Sequence, residues 1–285
     1  MKSLIRPLVP AFWLFLLCAL LPAQACDQSV DCIEKQSWQL GVALGAGLRS
    51  NPLVDGDNIP LFILPDIAWY GDKLYLDNDE FGYQWSQSKH LAVETFVSLN
   101  KEAANFTFWH PSNILTGSSI NTGLIGPSQV PERRVSKDEV ASRKWALNAG
   151  VRMHIRGHNS DWQIALLTDA SDVHRGQQFE LGYHYRMDVA SWSLSIAPAL
   201  IWKSSDLVDY YYGLDGRDEV ERSLYYQGKA GWQPSLSVLA IRPLTENWQL
   251  LIKASWTRLH KGMTDSPLVE ENSIQGVFIG TAYRF

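Results

Sequence analysis

Seven histidines and three cysteines are the residues of this 285-residue chain best suited to ligate a metal or serve as catalytic groups. His154 and His158 have the spacing of two ligands on one face of a helix. The residues around them alternate as in a β-strand, however, and Gly157 indicates a turn. No further ligand follows at a suitable spacing. We therefore predict no metal site, no cofactor and no catalytic residue.

The first 25 residues have the features of a secretory signal peptide. Lys2 and Arg6 precede an apolar run over 8–21, and Ala23-Gln24-Ala25 matches a cleavage site. The run is shorter than the ~20 residues that a membrane-spanning helix needs. Lipidation of Cys26 is an alternative that Gln24 disfavours. We expect Sec-dependent export and cleavage after Ala25.

Cys26 and Cys32 remain after cleavage, in a short segment over 26–36 that precedes the first strand pattern. In an oxidising compartment two cysteines at this spacing favour a disulfide. Two thiols alone are too few ligands for a metal site. We predict a periplasmic N-terminal segment that carries a Cys26 to Cys32 disulfide.

The rest of the chain has no run of ~18 apolar residues, so a helical membrane span is not expected. A closed β-barrel is the other structure that can cross a membrane. The 12 Trp and 11 Tyr residues suit such a barrel, because both rings prefer the interface between membrane and water. A net charge of −5 without a basic stripe excludes nucleic-acid binding.

Hydrophobic residues alternate with polar ones over most of the chain. In 177–188 one face holds apolar side chains and the other holds polar or small ones. The first set is Phe179, Leu181, Tyr183, Tyr185 and Met187, and the second is Gln178, Glu180, Gly182, His184, Arg186 and Asp188. The segments 191–203, 144–156 and 38–49 show the same pattern. These segments are predicted strands with two unlike faces.

A soluble β-sandwich would show a similar alternation, but three features favour an outer-membrane barrel over 37–285. The strands are ~10 to 13 residues long, whereas globular strands usually have ~5 or 6. Tight turns alternate with long connections, as between the periplasmic and external ends of a barrel. Charged residues also lie on the polar faces. The predicted lumen network is Arg152, Glu180, His184, Arg186 and Lys253.

The number of strands depends on the region over 73–85. Its apolar phase changes from Leu74 and Leu76 to Phe81, Tyr83 and Trp85. Two short strands here give 12 strands in total and place all long connections at one end of the barrel. One bulged strand would place the connection over 100–143 at the wrong end. We predict 12 antiparallel strands, with ten as the alternative.

The C-terminal residues form the most specific local pattern. Apolar and aromatic residues occupy alternate positions up to a final Phe, which resembles the signal that the outer-membrane assembly machinery recognises. The predicted assembly signal is Val277, Ile279, Thr281, Tyr283 and Phe285. It implies this machinery and outer-membrane lipid as partners in a Gram-negative cell.

Several short motifs, taken together, resemble the MipA/OmpV family over nearly the whole mature chain. They are Ile59-Pro60-Leu61, Leu64-Pro65, Trp69-Tyr70-Gly71, Gly82-Tyr83, Asp209-Tyr210-Tyr211-Tyr212-Gly213, Asp265-Ser266-Pro267-Leu268-Val269 and Ala282-Tyr283-Arg284-Phe285. The resemblance implies an outer-membrane barrel. For some members it implies a scaffold that joins a murein transglycosylase to a murein synthase.

We therefore expect a non-enzymatic scaffold or interaction protein of the murein (peptidoglycan) machinery. The alternative is a small porin or transport channel, suggested by charged and small residues on the predicted lumen faces. An outer-membrane lipid hydrolase, with a Ser-His pair at the lipid-facing rim, is the least favoured class. Tyr210 to Tyr212, in a long connection, are expected to anchor the loop at the membrane interface.

Overall fold

A computed structural model describes residues 37–107, 110–114 and 134–285. The predicted signal peptide over 1–25, the segment over 26–36 and the Cys26 to Cys32 disulfide lie outside the described residues. The strands are β1 (Ser37–Arg49), β2 (Ile59–Tyr70), β3 (Leu74–Asp77), β4 (Glu80–Gln87), β5 (Leu91–Leu99), β6 (Leu147–Arg156), β7 (Ser160–Asp169), β8 (Gln177–Val189), β9 (Trp192–Lys203), β10 (Gly231–Pro243), β11 (Trp248–Arg258) and β12 (Ser273–Arg284).

Short helices occur in the connections between strands. They are α1 (Pro111–Ile114), α2 (Ser205–Tyr212) and α3 (Lys261–Thr264), together with 3-10 turns at Lys101–Asn105, Gly216–Asp218 and Arg222–Leu224. Among the residues that the structure describes, none of the helices has the length and apolar character needed to cross a membrane.

The twelve strands form one closed antiparallel barrel, as the sequence predicts. Each strand pairs with its neighbours in the chain, and β1 pairs with β12 to close the ring. The closing register runs from Gly41 opposite Arg284 to Arg49 opposite Gly276. The region over 73–85 is the hairpin of β3 and β4, so the prediction of 12 strands is confirmed.

The two faces of the barrel wall follow the alternation in the sequence. In β1, Trp38 and Leu44 are 59% and 47% exposed on the outer face, whereas Ala43 and Arg49 are buried inside. The registers of β1 with β2 shift between Leu44 and Gly47. Such a bulge bends the strand locally and re-aims its side chains.

Small residues on the inner face provide space for one large aromatic ring. Phe278 of β12 is fully buried in the lumen, in an apolar cluster with Ala43, Leu61 and Leu64. A Cβ atom at Gly45 would lie 2.8 Å from Cζ of Phe278 and 2.2 Å from the Ile279 carbonyl oxygen. The glycine is therefore required by the close approach of the ring and the neighbouring strand.

Replacing Phe278 by Ala should destabilise the barrel. The change removes a fully buried ring and leaves a cavity, for which losses of about 3–5 kcal/mol are typical. The loss can be measured as a lower unfolding midpoint on gels that separate the folded barrel from the unfolded chain. Phe62→Ala is the matched control, because Phe62 is 62% exposed on the outer face. Equal shifts for the two variants would contradict the packing role of Phe278.

Candidate functional site

The long connections all leave the same end of the barrel, and their described residues pack together there into a cap. They are the β1-β2, β5-β6, β7-β8, β9-β10 and β11-β12 connections. The apolar core of the cap is Leu53, Ala103, Leu207, Val208, Tyr211, Tyr212, Leu259, Met263, Leu268, Val269 and Ile274. A β-bridge between Leu53 and Val269 joins the first of these connections to the last. The external mouth is thus filled by a packed structure.

Helix α2 supplies the central part of this core. Ser204 caps its N-terminus, and the Gly213 N–H donates to the Asp209 carbonyl at its C-terminus. Tyr211 and Tyr212 lie on the buried face and are completely inaccessible. The expectation that these tyrosines anchor the loop at the membrane interface is wrong. Their rings instead fill the space between neighbouring loops.

The 3-10 turn at Lys101–Asn105 connects the cap to the barrel wall. Glu102 accepts hydrogen bonds from Lys203 Nζ at the end of β9 and from the Tyr212 hydroxyl. Asn105 Oδ1 accepts a 2.9 Å bond from Arg49 at the end of β1. Asn105 Nδ2 in turn donates to the Tyr212 oxygen at 3.0 Å. One short turn is thereby tied to two separate strands and to α2.

Buried charges in the cap are matched by opposite charges. Burial alone would raise the pKa of Glu102, but Lys203, Tyr212 and Arg49 more than offset this and hold it below its usual value. Arg143 donates to Asp218 at 2.7 Å and to the Gly213 carbonyl at 3.0 Å, with both side chains almost completely buried. Loss of one partner from such a pair leaves an uncompensated charge, which is strongly destabilising.

His174 is buried in the cap with hydrogen-bond partners at both ring nitrogens. Its Nδ1 accepts from the Gly176 N–H at 2.9 Å, and its Nε2 lies 3.2 Å from Asn148 Oδ1 and 3.4 Å from Asn100 Nδ2. Burial lowers the pKa of His174. It also lowers the pKa values of His110 and His260 to about 4. These three cap histidines all favour the uncharged state.

A cluster of charged side chains lines one sector of the lumen below the cap. Arg152 of β6 donates to Glu80 at 2.6 Å and to Glu94 at 2.8 Å, and its guanidinium lies 3.9 Å from the Phe96 ring centre. His154 extends the cluster, with Nδ1 2.8 Å from Asp161 Oδ2. The strands β4 to β7 therefore carry a polar wall, whereas the Phe278 cluster on β1, β2 and β12 is apolar.

The structure distributes the predicted lumen residues over three strands. Arg152 lies in β6, Glu180, His184 and Arg186 lie in β8, and Lys253 lies in β11. His184 is opposite Asp161 in the register of β7 with β8, and Glu180 accepts a 2.5 Å bond from Gln178. A functional role for these five residues stays a prediction.

Val277, Ile279, Thr281 and Tyr283 occupy alternate positions in β12, and Phe285 follows them. Val277, Ile279 and Phe285 are exposed on the outer face, by 36%, 53% and 75%. Recognition of this face by the assembly machinery stays a prediction. Within residues 37–107, 110–114 and 134–285, no three His, Cys, Asp or Glu side chains come together as a metal site.

Sequence reasoning missed the cap and the acidic partners of Arg152. Glu80 and Glu94 are far from Arg152 in sequence, and only the strand registers bring them together. The one available signal for the cap was local. Leu207, Val208, Tyr211 and Tyr212 follow a helical period after Ser204, which predicts a capped amphipathic helix within the connection.

Comparison with known protein families gives a match that covers nearly the whole barrel. The family described as MltA-interacting protein MipA matches residues 40–285. This chain belongs to that family. The MipA family match begins within β1 and ends with the last residue of the chain.

Relatives of this MipA family member are named as outer-membrane proteins. Outer membrane protein YiaT of Escherichia coli K12 is 25% identical over 251 residues, which cover 87% of this chain and 91% of YiaT. OmpV of Vibrio cholerae is 20% identical over 60% of this chain and 68% of OmpV. The MltA-interacting protein of Escherichia coli K12 is 26% identical over 43% of this chain and 50% of that protein.

Solved structures of outer-membrane barrels are also similar to this chain. The NanC porin matches with a TM-score of 0.41 and 10% identity, over 86% of this chain and all of NanC.

The closed barrel and the names of the relatives together show that this chain is an outer-membrane protein.

Acidification should loosen the cap. His110 and His260 have pKa values of about 4, against 6.5 for an unperturbed histidine. As the pH falls, the histidines of the unfolded loops therefore bind protons before those of the folded cap do. The free energy of unfolding of the cap decreases for this reason between about pH 6.5 and about pH 4. Hydrogen exchange at pH 7 and pH 5, corrected for intrinsic rates, should show lower protection in 204–230 and 259–272 at the lower pH.

The strand amides of β10 and β11 provide an internal control for this measurement, since no such change is expected there. His260→Gln should reduce the dependence on pH, because one of the groups that protonates on opening is removed. Equal protection of the cap at both pH values would show that the neutral histidines do not contribute to its stability.

Proposed function

We propose that this chain is a non-enzymatic outer-membrane interaction protein that positions murein-processing enzymes at its periplasmic end. The capped external mouth is the observation that carries this proposal. A barrel whose long loops are packed into an apolar core is suited to hold a surface in place, and a passage for solutes would require the cap to move. The name of the MltA-interacting protein adds support, since MltA is a murein transglycosylase.

The histidine contacts in the described residues support a non-enzymatic role. His154 contacts the carboxylates of Asp161 and Glu94, and His174 contacts Asn148 and the Gly176 backbone. A carboxylate or an amide can also orient a catalytic histidine. A lipid hydrolase would in addition need a serine hydroxyl at the ring, and none of the hydrogen bonds described for His154 and His174 is to a serine.

The periplasmic end is the part of the barrel that a murein enzyme can reach. Short turns lie at this end, as is usual in such barrels, and the chain enters β1 there after the segment over 26–36. The neighbouring β4-β5 and β6-β7 turns carry Lys89, His90 and His158, all exposed, and His90 Nδ1 is 3.3 Å from the Arg156 carbonyl. These turns carry one lysine and two imidazoles, and this is the described surface that we assign to a partner with acidic groups.

In-cell photocrosslinking tests this assignment. A photoreactive residue at Lys89 or His158 should capture a murein transglycosylase or synthase, whereas the same residue at Lys261 should not, because α3 lies in the external cap. Charge reversal by Lys89→Glu should reduce capture from His158 several-fold. Capture from Lys261 alone, or from none of these positions at native abundance, would contradict the scaffold role.

A small channel is a second candidate, because the charged wall around Arg152 lies inside the lumen. In planar bilayers at pH 7, refolded protein should show no steady conductance while the cap is packed. If protonation of the cap histidines loosens the cap, brief openings should become more frequent towards pH 5. A stable open pore at pH 7 would favour the channel over the scaffold.

A further inference from the structure

A groove of about 700 Å³ crosses the outer face of the barrel. Small side chains form its floor, and larger apolar ones form its walls on either side. The floor contains Thr95, Val97, Ala149 and Thr168, and the walls contain Phe81, Tyr83, Leu166, Phe179 and Trp202. The lining is therefore mostly apolar.

Most of the side chains that line the groove point away from the lumen. Leu166 and Phe81 are 61% and 47% exposed, whereas the alternate residues Leu167 and Phe96 are buried inside. Cross-strand pairs arrange the groove residues in one continuous row over β4 to β9. The row is Tyr83, Thr95, Val151, Leu166, Phe179 and Trp202.

This groove lies directly below the cap. Val97 is two residues from the end of β5, and Ala149 is two residues from the start of β6. At about 3.3 Å per residue the groove is within about 10 Å of the capped rim. Because the long loops of such barrels face the outside of the cell, the groove opens into the outer leaflet of the membrane.

A polar cavity of about 340 Å³ lies in the cap above the same strands. Its lining includes three cationic side chains, one carboxylate, two hydroxyl groups and an aromatic ring. These residues are Arg143, Lys144, Arg217, Asp172, Ser142, Ser171 and Tyr210. Ser171 follows the groove residue Thr168 by three positions, which corresponds to about 10 Å along an extended chain.

The charges of this cavity favour an anionic ligand. Arg143 is engaged with Asp218, and Asp172 is engaged with Arg175 at 2.6 Å. Lys144 is exposed at the cavity. Arg217 stacks its guanidinium 5.2 Å from the Tyr210 ring centre, is partly solvent-accessible, and has its Nε 3.4 Å from Asp215 and 3.8 Å from Asp218. A phosphate group would find the exposed Lys144 here and could share the outer N–H groups of Arg217, beside hydroxyl groups suited to a sugar.

We propose that the groove and the cavity form one binding site for a phosphorylated, multiply acylated glycolipid, the lipid class of the outer leaflet. An acyl chain occupies the apolar groove, and a phosphate on the sugar contacts Lys144 and Arg217. This site lies at the opposite end of the barrel from the murein partner surface. The proposal of a lipid site therefore does not depend on the proposed interaction with murein enzymes.

Lipid-dependent stability provides the test. The refolded full-length mature chain is titrated in mild detergent with lipid A, dephosphorylated lipid A or phosphatidylethanolamine, and its unfolding midpoint is read on unboiled gels. Lipid A should raise the midpoint most, its dephosphorylated form should raise it less, and phosphatidylethanolamine least. Equal effects of all three lipids would overturn the proposal.

Two pairs of variants separate the groove from the cavity. Ala149→Phe fills the groove and should abolish the response to lipid A, whereas Ala254→Phe, on the outer face of β11, should keep it. Lys144→Gln should weaken lipid A binding about tenfold, the order expected for one lost charge-assisted hydrogen bond. Lys261→Gln in α3 is its control.

The gel shift itself reports whether each variant has folded. Lys144→Gln changes only an exposed side chain, so this variant is expected to fold. It can therefore still test the proposal if Ala149→Phe fails to fold. Equal responses of Lys144→Gln and Lys261→Gln to lipid A would overturn the phosphate contact, and equal responses of the two Ala variants would overturn the acyl groove.

Discussion

Pairing of β1 with β12 is the interaction on which the rest of this structure depends. The interior of a bilayer offers no partner for backbone N–H and C=O groups, so every membrane-spanning strand must be paired on both sides. Residues over 41–49 meet residues over 276–284 in a continuous antiparallel register. Without this closure the first and last strands would expose two unpaired edges to lipid.

Closure with twelve strands creates a second constraint, because a ring of this size encloses more space than a single layer of small side chains can fill. The protein fills it in three ways. Phe278 packs against glycines on the apolar sector, Arg152 joins acidic residues of neighbouring strands on the polar sector, and the 3-10 turn at Lys101–Asn105 closes the upper end.

The barrel itself could be predicted from the sequence, because strand faces follow a local period of two. The hairpin of β3 and β4 followed from one change of phase together with the need for all long connections to share one end. The cap could not be predicted in this way. Its core joins Leu53, Tyr212 and Met263, which are far apart in sequence and lie in connections without a shared period.

Tyr211 and Tyr212 show why aromatic residues are ambiguous in such a chain. In a loop near a membrane, the same ring can anchor at the interface or fill a core, and composition does not distinguish the two. The partners of Arg152 were missed for a related reason. The period of two placed this side chain in the lumen, but only the registers of β4, β5 and β6 bring Glu80 and Glu94 beside it.

The composition of the cap also determines when it can form. Its core combines Leu53, which follows the first strand, with Leu268 and Val269, which precede the last, and Glu102 joins Lys203 of β9 to this core. Contacts separated by more than 200 residues form slowly, because long loops must close first. Closure of β1 on β12 brings these connections side by side, so the cap core depends on the closed barrel. A chain arrested with β1 and β12 apart would leave its external loops without this shared core and open to proteases.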